Sequence, residues 1–417
     1  MSGIGQRYGS GAREAKACGA LALAAACLSP GSARASGFLL YDQSGDSMGK
    51  ASAVVASVAE PAAIWYNAAG LCSVPGYQAS VSAMLYHVRI RFDDAATGAE
   101  TRADPGLFVI PTLFASAQVA DRVHVGLGAY SSFGLGSTWP YSWEGRDQTI
   151  ESSLQTVTIN PTVAVKLTES VRLGAGFDLL RASVDMRNGL PYPIDGDVRV
   201  GGGTWGYGGN VGLQARLLRD KLHMGVAYRS RVELSFRGKA DFSPAHPEFL
   251  RDLPDQGGTA NVTLPDILTA GILFKPWPET ALTAEASMVF WSTWDKLELD
   301  FDSAPPAISN YHLRNVFIAR VGADLPTPVR GVRARTGMMF EQKPTREEYL
   351  SPSLPDSYVF DMAVGAGYEH EWLKLDAGYV IGMNWPSKAK GGVESPEGTY
   401  WTVSHVVGLT VTGRTAR

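Results

Sequence analysis

Catalysis needs side chains that attack, carry protons or hold ions at one place, and this chain keeps such residues apart. A Ser/His pair must lie within hydrogen-bond reach on neighbouring strands. The seven histidines are scattered, and His246 and His370 fall in connections. No HExxH or CxxC occurs for zinc, and "GGGTWGYGGN" (201–210) lacks the lysine and helix of a phosphate loop. It reads as a strand with small residues. No catalytic residue, metal site or cofactor is assigned. The chain is richer in binding chemistry. Phe133, Trp139, Tyr141 and Trp143 offer aromatic surface to an apolar ligand, although an interfacial aromatic girdle also uses such residues. Arg172, Arg216, Arg229, Arg231 and Arg333 are cations that a ligand carboxylate would need, or else partners for nearby acids. Gly134 and Gly136 flank Leu135, where glycine marks a bulge in a strand or the start of a loop.

Strands must position all of these. Val157, Ile159, Pro161, Val163, Val165 and Leu167 alternate with Thr158, Asn160, Thr162, Ala164 and Lys166. After "TES", Val171, Leu173, Ala175, Phe177 and Leu179 take one face, and Arg172, Gly174, Gly176 and Asp178 the other. Further on, Leu222, Met224, Val226, Tyr228, Val232, Leu234 and Phe236 are set against His223, Arg229, Arg231, Glu233 and Arg237. Period-two alternation predicts strands with unlike faces. Fourteen such segments occur, the first at 78–92, the third at 122–135 and the last at 399–412. Short connections such as "RD" (219–220) and "PWPE" (276–279) alternate with long ones such as 187–202, 239–259 and 343–356. An even strand number with short turns at one end and long loops at the other predicts an all-β transmembrane antiparallel barrel over 77–417. In lipid a sheet must close, because every backbone N–H and C=O needs an internal partner. An exported soluble sandwich or solenoid is the alternative, and its loops need not alternate in length.

Composition agrees. Charged residues are 19%, below the ~25% of soluble domains, and no run of eighteen apolar residues occurs. Net charge is -4 with a pI near 6.0, which leaves no footprint for nucleic acid. Arg7, Arg13 and Lys16, the apolar stretch Ala17 to Leu28, and "ARA" at Ala33 to Ala35 read as a signal peptide, 1–35, cleaved before Ser36. A lipoprotein signal at Cys27 is the weaker reading, since Ala24 stands where a lipobox prefers leucine. Cleavage at Ser36 leaves Cys72 alone and excludes an internal disulfide.

Residues 36–76 do not alternate. "SMGKASAVVASVAEPAAIWY" suits short, tightly packed helices, and Phe38, Tyr41, Trp65 and Tyr66 argue for packing. A disordered tail would carry more charge and fewer aromatics. Eight strands already enclose enough room for side chains, so fourteen leave space for a small helical plug.

"ASGFLLYDQSGDSMGKASA" followed by "WYNAAGL" resembles the N-terminal hatch of the FadL-type outer-membrane transporters. The likeness runs in order through "GLGAYSSFGLGSTWP" (126–140), 156–186, 264–299 and "SPSLPDS" (351–357). Ala68 departs from the family's usual proline, and "VVGLTVTGRTAR" lacks the terminal aromatic common in bacterial barrels. The resemblance implies uptake of hydrophobic small molecules, long-chain fatty acids or related lipids and hydrocarbons, across the outer membrane of a Gram-negative bacterium. It implies Phe38 and Asn67 as hatch residues at the ligand. Trp139, Tyr141 and Trp143 would act in capture by extracellular loops. Lateral release would occur at a third-strand kink around Phe133, Gly134 and Gly136. Expected partners are the ligand, outer-membrane lipid and lipopolysaccharide, and the barrel-assembly machinery, with the protein a monomer. A general diffusion porin is the alternative, and a barrel hydrolase a more distant one.

Overall fold

The computed structural model describes residues 38–392 and 395–415. The expected signal peptide and Ser36–Gly37 lie outside the described residues. The wall consists of fourteen antiparallel strands, seven of them interrupted. They are β1 (Tyr77–Asp94), β2 (Glu100–Arg102, then Gly106–Ala120), β3 (Val123–Tyr130, then Gly134–Thr138), β4 (Glu151–Lys166) and β5 (Val171–Gly189). Next come β6 (Gly196–Leu217), β7 (Leu222–Arg229, then Val232–Pro244) and β8 (Gln256–Leu264, then Ile267–Trp277). Strands β9 (Thr280–Val289, then Lys296–Phe301), β10 (Ala307–Asn310, then Val316–Pro326) and β11 (Val332–Glu341) follow. The circuit ends with β12 (Val359–His370), β13 (Leu373–Asn384, then Ser387–Lys390) and β14 (Glu397–Arg414). Pairing of β1 with β14, from Gln78↔Arg414 to Asp94↔Gly398, closes the sheet and removes its edges.

Several strands are far longer than a bilayer requires. β5 has 19 residues and β6 has 22, whereas about 9–11 tilted residues cross the hydrocarbon. Much of the expected loop 187–202 is therefore strand. The chemistry of each face changes where the wall leaves the membrane. Along lower β5, Leu173 and Phe177 are exposed outward while Arg172 and Asp178 are buried inward. Above Leu179 the outward positions are Arg181, Ser183 and Asp185, and the inward ones are Leu180, Ala182 and Val184. The lower wall is oily outside and polar inside; the upper wall is the reverse.

β7 reaches the same result by a change of register. Between the pairs Asn210↔Arg229 and Gly203↔Arg237, β7 carries one residue more than β6. One extra residue turns every later side chain to the other face. Met224, Val226 and Tyr228 accordingly face lipid, while Val232, Leu234 and Phe236 are buried inside. The expectation of a single apolar face along this strand is thus corrected. Glu233 and Arg237 point outward, where the wall is already in water.

The strand directions give a topological prediction. Tyr192, 93% exposed, sits at the tip of the β5–β6 connection, and Leu218 in the short β6–β7 turn at the opposite end. Long connections face outward in such barrels. A cysteine-specific, membrane-impermeant label should therefore reach Tyr192→Cys in intact cells and leave Leu218→Cys unmodified. Native Cys72 is buried and adds little background. Equal labelling of the two sites would contradict the assigned orientation.

Candidate ligand-binding site

Residues 38–76 occupy the lumen as two one-turn helices, α1 (Gly45–Met48) and α2 (Ala63–Tyr66), and a 3-10 turn over Ala68–Ser73. Ser44 caps α1 by accepting from the Ser47 N–H. Asn67 holds the "IWYNAAGL" stretch in place. Its Oδ1 caps the following turn by accepting from Ala69 N at 3.1 Å. Its Nδ2 donates to Val55 O at 2.8 Å within the hatch and to Leu213 O of β6 at 3.1 Å. The wall makes room for this turn with glycine: a Cβ at Gly212 would lie 2.0 Å from Asn67 Oδ1, and one at Gly174 2.4 Å from the Ala68 carbonyl carbon.

Charge fixes the other half of the hatch. Asp46 receives Arg335 of β11 at 2.9 Å and Lys374 of β13 at 2.6 Å, and also pairs with Lys50. Arg335 bonds in addition to Asp376 at 2.7 Å and Asp324 at 3.1 Å. Burial alone would raise the Asp46 carboxyl, but Lys374, Lys50 and Arg335 together hold it well below the usual range. Asp46, Glu60 and Asp376 come close enough to suggest a cation site. Lys50, Lys374 and Arg335 already supply the positive charge there, so the trio reads as an ion-pair network.

The segment before α1 meets the break in β3. Leu39 forms an isolated bridge with Phe133, and Leu40 N donates to Ser132 O at 2.9 Å. Between the pairs Tyr130↔Thr158 and Gly134↔Gln155, three residues of β3 oppose two of β4. Thr156 of β4 replaces the lost ladder partner: its Oγ1 accepts from Phe133 N at 3.1 Å and donates to Phe133 O at 2.6 Å. Among the described residues, no ladder pairing joins upper β2, Gly106–Thr112, to β3. The opening is bounded below by Leu113↔Ala129 and above by the bond from Asp104 N to Thr138 O. Gln43, fully buried, spans its lower edge: its carbonyl accepts from Thr112 Oγ1, and its Nε2 donates to Ser131 O at 2.9 Å. The kink is therefore centred on Ser131–Phe133. Gly134 and Gly136 lie beyond it, paired with β4 opposite Gln155 and Ser153, which corrects the expectation that the glycines make the bend.

Phe38, with φ of 66°, inserts its ring among Phe133, Trp291 and Trp294 at centroid distances of 6.0, 4.6 and 5.0 Å. It lines a cavity with an empty volume of about 680 Å³, shared with Leu154, Met186, Phe236, Val262 and Trp294. Among the described residues none of its lining is acidic or basic; hydroxyls such as Ser152 and Tyr311 and the Trp294 indole N–H are its polar groups. The five arginines singled out from sequence lie elsewhere. Arg229 pairs with Asp178 and lies 4.3 Å from the Trp65 ring. Arg231 faces outward on Asp266, Arg333 pairs with Asp324, and Arg172 and Arg216 reach Ser73 at the other end of the hatch. Asn67 borders a separate cavity, beside Tyr66 and Arg229.

Trp139 and Trp143 stack at 4.4 Å and pack with Phe92 and Tyr400, only 2% and 3% exposed. Their indole N–H groups donate to Pro352 O and Thr149 O. The expectation of an open aromatic surface is corrected for these two, because the loop folds back over β1 and β14 to bury them. Tyr141 remains 46% exposed, under the Arg146 guanidinium. Sequence reasoning missed Gln43, Thr156 and the apolar inner row of upper β5. It also passed over Gly45–Asp46–Ser47–Met48–Gly49, which has GxSxG spacing. Ser47 Oγ donates to Glu60 Oε1 at 3.2 Å, so the hydroxyl serves the hatch, and no histidine is among its partners.

A closed barrel with an oily outer belt, a packed hatch and a wall opening beside an apolar cavity defines an outer-membrane transport barrel. The chain belongs to the family described as outer membrane protein transport protein (OMPP1/FadL/TodX), whose model matches residues 25–395. The long-chain fatty acid transport protein of Escherichia coli O6:H1 is 23% identical over 312 residues, covering 66% of this chain and 70% of that protein. The crystal structure of a Pseudomonas aeruginosa FadL homologue superposes with a TM-score of 0.82 at 19% identity, over 91% of this chain and 100% of the other. The Pseudomonas putida toluene transporter TodX gives a TM-score of 0.70 at 16% identity, over 91% and 100%. These likenesses carry the fold and an outer-membrane location.

Proposed function

We propose that this protein admits uncharged hydrophobic molecules through the outer membrane, holds them in the cavity at Phe38 and releases them sideways at the β3 opening. The observation that carries the reading is the cavity itself: apolar, with no charged residue in its lining among the described residues, and lined by Phe38, whose ring packs on the kink residue Phe133. A carboxylate buried there would lack a cation and pay a desolvation penalty of several kcal/mol. The relatives are named for transport of a fatty acid or of toluene, and the absence of lining charge favours the toluene-like end of that range. Tyr141 stays available at the loop surface for capture, while Trp139 and Trp143 would act by holding the loop in shape. A diffusion porin fits less well, because the hatch fills the lumen and is tied to opposite walls by Asn67 and Asp46. Nothing in this reading calls for catalysis.

Binding to the purified protein tests it. Dodecanol should bind more tightly than dodecanoate, and Phe38→Ala should weaken dodecanol by about tenfold, roughly 1.4 kcal/mol. Equal affinity for the two head groups would refute the uncharged-ligand reading.

A further inference from the structure

A second cavity of comparable size, with an empty volume of about 700 Å³ and a different chemistry, meets the first at Leu354. Tyr41 and Asp42 of the hatch form one side, and Leu354, Pro355 and Asp356 of the β11–β12 connection another. The wall contributes Tyr86, Glu341 and Asp361 together with apolar Val88, Met339 and Val380. Four carboxylate residues therefore border one space, and no lysine or arginine is among its lining residues. The Arg320 guanidinium lies 4.5 Å from the Tyr41 ring and is engaged by Glu285 at 3.1 Å and Ser287 at 2.9 Å.

Glu341 supplies the independent sign of a ligand. Its side chain is wholly buried, and Oε1 accepts from Tyr41 OH at 2.9 Å, yet among the described residues Oε2 has no hydrogen-bond partner. A buried carboxylate oxygen left unpaired is costly, and a donor carrying positive charge would satisfy it. The acids do not converge as ligands of a bare ion: among the described residues the only acidic group close enough for that is Asp46, Glu60 and Asp376. Carboxylates spaced around an apolar floor suit a larger cation. Tyr41 and Tyr86 add aromatic faces, which favour ammonium groups.

We propose that this cavity binds the ammonium group of an amphiphilic organic amine, its hydrocarbon part lying along Val88, Met339 and Val380. Glu341 and Asp361 accept hydrogen bonds from the ammonium, and Asp42 completes the negative surround. The site touches the Phe38 cavity at Leu354, but its carboxylates do not line that cavity, and it does not depend on how that cavity is read. A carboxylate ligand would be repelled from it.

Two ligands of equal chain length test the proposal on the purified full-length protein in uncharged detergent. Dodecylammonium should bind, and Glu341→Gln combined with Asp361→Asn should weaken it by at least about tenfold, the loss expected for charge-assisted hydrogen bonds. Dodecanol, taken by the Phe38 cavity, should bind the double variant as it binds the parent chain, which also reports a folded barrel. Glu341→Lys, which carries its own ammonium into the space, should abolish dodecylammonium binding. On the unmodified protein, dodecylammonium should not be displaced by dodecanol. Full displacement by dodecanol, or unchanged ammonium binding in the double variant, would overturn the assignment. Loss of dodecanol binding in Phe38→Ala with dodecylammonium binding intact would show the failure of one site without the other.

Discussion

Removal of residues 38–72 should turn a nearly closed barrel into an open pore, raising single-channel conductance in planar bilayers by at least about tenfold. Wall-to-wall pairing is untouched by the deletion, since closure rests on β1 with β14 and on the other ladders. What is lost is the hatch and its ties: Asn67 to β6, Asp46 to β11 and β13, and Gln43 to β2 and β3. Water then fills the lumen and solvates Arg335, Lys374 and Asp376, so the freed charges do not stay buried without partners. A fourteen-stranded wall lies between the eight strands whose side chains fill the interior and the sixteen or so that leave an aqueous channel. Conductance equal to that of the parent chain, in a barrel that still shifts on a gel when heated, would mean that the hatch does not obstruct the pore.

Deletion of Ser132 alone should abolish uptake of a hydrophobic substrate, by tenfold or more on the order expected when a route is closed, while leaving binding in place. Three residues of β3 now oppose two of β4. Taking one away makes the counts equal, and Leu135 still pairs with Leu154, so neither half of the strand changes its face. Upper β2 then regains a neighbour for Gly106–Thr112, which satisfies backbone groups that the opening leaves unpaired. Dodecanol should still occupy the Phe38 cavity. Normal uptake by a folded deletion variant would direct attention to a path down past the hatch.

Much of the barrel was legible in the sequence because alternation and loop length are properties of the chain itself. The fourteen segments and the lipid-facing rows of β4 and lower β5 can be read directly from 157–179. Of the three expected kink residues, Phe133 lies in the bend and Gly134 and Gly136 lie beyond it, for a physical reason. Glycine advertises conformational freedom, but here the bend is made by an extra residue and held by the Thr156 hydroxyl, which no local pattern announces. The cavity is not legible because alternation shows that the two faces differ, not where along the wall they exchange character. Leu180, Ala182 and Val184 were visible as inward positions; what was lacking was the height at which the membrane ends. Trp139 and Trp143 have the composition of a capture surface, and only the fold shows that they are sealed beneath it.

That height has a consequence for where cargo goes. On β4 the outward row runs Val165, Val163, Pro161, Ile159 and Val157, then turns polar at Gln155 and Ser153. The break in β3 stands opposite Thr156 and Val157. The proposed exit therefore opens at the rim of the hydrocarbon and not at the midplane. A molecule released there has entered one monolayer only. Its passage to the other side is left to its own rate of flipping between leaflets, which is fast for a neutral hydrocarbon and slow for a charged amphiphile. The position of a single strand defect would then make the lipid bilayer itself a second filter, placed in series with the protein and acting against the same charges that the Phe38 cavity excludes.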